Sequence, residues 1–136
     1  MVVIEDMTAH ITDIIQQLIA LCREHADTGE SDEDLMEHFL MDMALNEIVW
    51  VENMDGRIVG FTDFVWVQTP EDMAEADKGE STHGEVLYIQ TLVSPKLGIL
   101  REIKKLLPTY KYIVGMHEGH IHAPKGWPDE TVTQAA

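Results

Sequence analysis

Cationic side chains are scarce in this chain: nine Lys and Arg stand against 25 Asp and Glu, for a formal charge of −16. That balance argues against a nucleic-acid binder, because phosphate neutralisation needs Lys and Arg. It favours solubility and attraction to basic partners. Cysteine is nearly absent. Cys22 alone allows no intrachain disulfide and no cysteine zinc site. It falls on the apolar face of an expected helix, where a buried thiol is the ordinary reading. No stretch of eighteen apolar residues exists, so no transmembrane helix is expected. The opening MVVIEDMTAH lacks the basic and apolar regions of a signal peptide. A soluble, cytoplasmic protein is therefore expected, with no contact to membrane or nucleic acid.

At 136 residues and 45% apolar content the chain can bury a core as one domain. We expect that domain over 1–127, with 128–136 as a tail. Met1 to Ile4 suggests a short opening strand. From about Thr8, Ile11, Ile14, Ile15, Leu18, Ile19 and Cys22 recur at helical spacing. Ser31, with Asp34 three residues on, marks the start of a second helix. Its apolar face reads as Leu35, Met36, Phe39, Leu40 and Met43, and Asp32, Glu33 and Asp34 suit the positive end of its dipole. Residues 47–52 and 58–67 are strand-like and are joined by Asn53-Met54-Asp55-Gly56, a hairpin signal. Gly60 interrupts the second run, implying a bulge or a close approach of another backbone. Trp50, Phe61, Phe64 and Trp66 read as core or sheet-face residues. Residues 68–85 are acidic and without apolar period, and are expected to form an exposed loop.

The stretch that organises the rest runs from Glu85 to Leu107. Val86 to Val93 is a nearly continuous apolar run, as in a strand buried on both faces. Ser94-Pro95 breaks it, Gly98 follows, and Ile99, Leu100, Ile103, Leu106 and Leu107 then recur at helical spacing up to Pro108. A strand leading through a glycine turn into a helix can aim backbone N–H groups at an anion. An ordinary strand-to-helix connection has the same pattern. Residues 110–116 make another strand, and 121–123 a short return. His117, His120 and His122 cluster near a turn. We read that cluster as a polar hairpin tip and assign no metal.

Leu92-Val93-Ser94-Pro95, Gly98-Ile99 and the helix to Leu107, preceded by the hairpin string DGRIVGF, resemble the cofactor motif of the GNAT superfamily of N-acyltransferases. The resemblance covers roughly residues 8–118. It implies an α/β fold: two N-terminal helices, an antiparallel hairpin, then strand–helix–strand on one mixed sheet, shortened at the C-terminus. It implies acetyl-CoA as cofactor and an amine as acyl acceptor. The backbone of Leu92 and Val93 would meet the pantetheine and thioester. Lys96, Leu97, Gly98, Ile99 and Leu100 would surround the pyrophosphate, with Lys96 supplying charge. Glu85 and Gln90 would be the polar groups able to orient an amine or water. The family loop is about three residues longer, carries an Arg or Gln before its first glycine, and has a small residue where Leu100 stands. Such abbreviated forms resemble phage and prophage proteins, which would place this chain in a host cytoplasm. Three readings follow. The chain is an acetyl-CoA-dependent N-acetyltransferase, a GNAT-like binding or structural module able to form a homodimer, or an acidic inhibitor of a basic nucleic-acid-binding protein.

Overall fold

A computed structural model describes residues 4–26, 29–76, 84–117, 120–125 and 127, with the side chains of all but 4–9, 117, 120 and 121. The elements are α1 (Ile4–His25), α2 (Asp32–Leu45), β1 (Ile48–Glu52), β2 (Ile58–Val67), α3 (Pro70–Ala76), β3 (Val86–Val93), α4 (Leu97–Leu106), β4 (Tyr112–His117) and β5 (His120–His122). This is the expected mixed α/β class. The five strands lie in the sheet order β1-β2-β3-β4-β5. β3 runs parallel to β4, as a strand–helix–strand crossover requires, and β4 runs antiparallel to β5. No helix among the described residues is long and apolar enough to cross a membrane. The chain divides into two compact units: Met1–Thr62 with Thr91–Leu107, and Asp63–Gln90 with Pro108–Ala136.

The first unit holds α1, α2, β1, the start of β2, the end of β3, and α4. Ile4 is helical, which replaces the expected opening strand at that position; residues 1–3 lie outside the description. The predicted stripe of α1 is buried through Ile14, Ile15, Leu18 and Cys22, against Leu35, Phe39, Ile48, Ile58, Phe61 and Val93. Phe39 and Phe61 meet edge to face, with centroids 5.5 Å apart. Gln17, buried in α1, accepts a hydrogen bond from the Ile58 N–H at 2.8 Å. It thereby satisfies the first donor of β2. The hairpin turn forms as its residues require. The Asn53 carboxamide oxygen accepts from the N–H groups of Asp55 and Arg57, and Gly56 takes φ +78°. Gly60 serves the close approach: a Cβ there would collide with Ile99 Cγ2 and lie 2.8 Å from the Val93 carbonyl oxygen. Glycine at this point lets α4 seat on β2.

The second unit holds the rest of β2, α3, the start of β3, β4 and β5. Its core is Val65, Val67, Met73, Ala76, Val86, Tyr88, Val114 and Trp127. Residues 70–76 of the expected exposed loop are the helix α3, and residues 77–83 lie outside the description. The local chemistry explains the helix. Thr69 Oγ1 accepts from Asp72 N, while the Asp72 carboxylate accepts from the N–H groups of Thr69 and Gln68, a reciprocal capping box with Pro70 as first helical residue. Met73 and Ala76 anchor it. Trp127 is buried, and its indole N–H donates to the Gln68 carbonyl at 3.3 Å. Residues 128–136, expected as a tail, lie outside the description, as do the side chains of His117 and His120.

Candidate functional site

The predicted site residues in the first unit run from the end of β3 through a three-residue connection into α4. Val93 is buried in the core and Leu92 is exposed, as alternation along a strand dictates. Among the described residues the β3–β4 register runs from Val86↔Tyr112 to Ile89↔Gly115, while β3 continues to Val93. Thr62 Oγ1 donates to the Thr91 carbonyl at 2.8 Å, fixing this end of β3 on β2.

Ser94, Pro95 and Lys96 make the whole connection. Ser94 Oγ donates to the Lys96 carbonyl at 3.2 Å. Lys96 is the N-cap of α4, with φ −136° and ψ 149°, and no side chain caps the helix. The sequence suggests Gly98 in a turn before the helix. Instead it stands in the first turn of α4, because Pro95 fixes a short extended link and the helix begins at once. Its φ is not positive, and a Cβ there would meet nothing within 4 Å. Glycine here makes no bend, and the place its missing Cβ would take is open space.

Not all the amides assigned to a phosphate are available. The N–H groups of Ile99 and Leu100 donate to the Lys96 carbonyl, at 3.1 and 3.2 Å. The first-turn donors without an intrahelical acceptor are then Leu97 and Gly98. Charge converges on the same helix. Of nine Lys and Arg in the chain, Lys96, Arg101, Lys104 and Lys105 lie within 96–105, all exposed, with Glu102 as the sole acid of that segment. Lys105 pairs with Glu102 at 3.0 Å. Leu92 and Leu97, 46% and 64% exposed, stand on either side of the connection in the chain. Together these features suit an anion that carries an apolar arm.

Glu85 and Gln90 belong to the second unit, Glu85 held through its backbone and Gln90 through its side chain. The Glu85 N–H donates to Gln68 Oε1 at 3.1 Å, and its carbonyl accepts from Lys111 N–H at 2.8 Å. Glu85 precedes β3 in the second unit, whereas Leu92 and Val93 close the strand in the first. The Gln90 carboxamide N–H donates to the Ala76 carbonyl at 3.4 Å, closing the C-terminus of α3.

One arrangement has no counterpart in the sequence-based expectations. His38, half-buried on α2, has its Nε2 3.2 Å from Asp42 Oδ2 and its Nδ1 3.7 Å from Glu30 Oε2. Asp42 is buried on the face of α2 where apolar residues are expected. The i, i+4 spacing of His38 and Asp42 was the available signal, and it becomes meaningful only once Asp42 is known to face inward. None of the protein-family models, curated proteins or solved structures compared with the chain matches it.

Proposed function

We propose that the chain is an N-acyltransferase-like domain that binds coenzyme A or acetyl-CoA at the end of β3 and the start of α4, with an amine as acyl acceptor. The observation that carries this reading is the uncapped start of α4 on an otherwise acidic protein. The free amides of Leu97 and Gly98, with Lys96 beside them, suit the pyrophosphate. The β3 backbone beyond Ile89 suits the pantetheine amides, and exposed Leu92 and Leu97 suit its apolar portion. In the reaction the amine nitrogen bonds to the thioester carbon, the C–S bond breaks, and the thiolate takes up the proton lost by the amine. The chain's contribution is to hold the cofactor and orient the carbonyl.

The hydrogen bond that engages the Gln90 side chain with the Ala76 carbonyl favours a second reading, binding without transfer. A calorimetric titration with acetyl-CoA and CoA, followed by a thiol-release assay with a panel of amines, separates the two. Micromolar binding that is lost in Gly98→Trp is expected under both, since that side chain enters open space and leaves the fold intact. Thiol release with an amine marks the enzyme. Absence of heat at millimolar ligand would remove both readings.

A further inference from the structure

α2 carries apolar residues on both sides. Leu35 and Phe39 face the core, yet Met36, Leu40, Met41 and Leu45 are 41%, 44%, 60% and 54% exposed. On a helix of 3.6 residues per turn they form two i, i+4 ridges, Met36–Leu40 and Met41–Leu45, on the outward arc. Glu33 and Glu37, both exposed, lie between the ridges. α2 runs for 14 residues, about 21 Å, and contains no Lys or Arg. A helix this well capped, with Ser31 accepting from Asp34 N and Asn46 closing the far end, needs no partner to exist. Its apolar outer face therefore calls for its own account.

We propose that the outer face of α2 docks a cationic amphipathic helix of a partner protein. The more exposed ridge, Met41–Leu45, would receive the partner's apolar stripe, and Glu33 and Glu37 along its edge the flanking Lys or Arg. Unbranched Met side chains adapt to such a stripe without demanding one shape. Charge selects the occupant. Nucleic acid and an anionic membrane surface are repelled by a chain of net charge −16. A second copy is disfavoured as well: pairing two α2 helices would gather two sets of Glu33, Asp34 and Glu37 with no Lys or Arg on either helix, Asp32 being paired with Arg23 of α1. This surface does not depend on the coenzyme A reading.

The probe is a fluorescein-labelled synthetic 18-residue peptide of Leu and Lys with one apolar face, titrated by anisotropy. A scrambled peptide of equal composition, with no apolar face, controls for bulk charge. The expected result is micromolar binding of the patterned peptide, weakened at least tenfold by Leu40→Asn with Met41→Asn and by added salt, and unchanged by Leu106→Asn on the exposed part of α4. Glu33→Gln with Glu37→Gln, which alters no packing, should weaken binding and flatten the salt dependence. Equal binding of the scrambled peptide, indifference to both α2 variants, or no binding would overturn the proposal. So would self-association of the wild-type protein abolished by Leu40→Asn with Met41→Asn, because the face would then belong to a second copy.

Discussion

α2 and α4 sit in the same unit and end in opposite ways. α2 is closed at its start by Ser31 and loaded with Asp32, Glu33 and Asp34, so its amides and dipole are already answered from within the chain. α4 begins at Lys96 with no side-chain cap and no acid in its first turn. A stable domain needs the first arrangement. The second leaves donors open, which costs stability unless something from outside supplies the acceptors. The sides of the two helices differ too. α4 has one fully buried residue, Ile103, with Ile99 seated at Gly60, and puts cations beside Leu97 and Leu106 on its exposed side; α2 is apolar inward, and its exposed apolar residues stand beside acids. The contrast assigns small anions to the end of α4 and a partner helix to the side of α2.

The strongest way to break this contrast is through the core beneath α2. Phe39→Ala removes a fully buried ring from the edge-to-face pair with Phe61 and should cost about 3–5 kcal/mol in urea unfolding. Gly60→Ala puts a methyl against Ile99 and the Val93 carbonyl, and should cost about 1–3 kcal/mol. Gly98→Ala, into open space in a first turn, should be neutral or stabilising by about 0.5–1 kcal/mol. Were the two glycine variants equal in chemical denaturation, the distinct roles given to them would be wrong.

The ends of the helices sharpen the comparison further. Ser31→Ala should cost about 1 kcal/mol, as the loss of a working cap does. Lys96→Asp should move the other way, gaining about 0.5–1 kcal/mol in thermal or urea unfolding by supplying the cap that α4 lacks, while weakening coenzyme A binding. A destabilised Lys96→Asp protein would contradict the reading of an open helix start. Removing the imidazole beside buried Asp42, as His38→Ala does, should cost about 1–3 kcal/mol on the same unfolding measurement.

Features whose chemistry is local were legible in the sequence. Asn53 to Gly56, the Ser31 cap and the close approach at Gly60 each depend on residues whose conformational or hydrogen-bonding demands are particular to them. The capping box of α3 was equally local, in Thr69, Pro70 and Asp72. It was outweighed by the acidic composition around it, and seven residues with only Met73 and Ala76 buried give too short a stripe for periodicity. The outer face of α2 was hidden for another reason. Spacing says which residues share a side, not which side is covered, so Met36 and Leu40 were assigned to the core and Asp42 was not. In the candidate site, the strand, the break and the helix were legible. Which amides remain open was not, because that depends on the hydrogen bonds of Ile99 and Leu100 to the Lys96 carbonyl.

The most direct test of the account follows backbone amide resonances by two-dimensional NMR while coenzyme A is added. The account predicts the largest shifts at Leu97 and Gly98, with smaller ones at Leu92 and Val93, and little change along α2. Unchanged Leu97 and Gly98 resonances at millimolar coenzyme A, or shifts concentrated on α2, would contradict it.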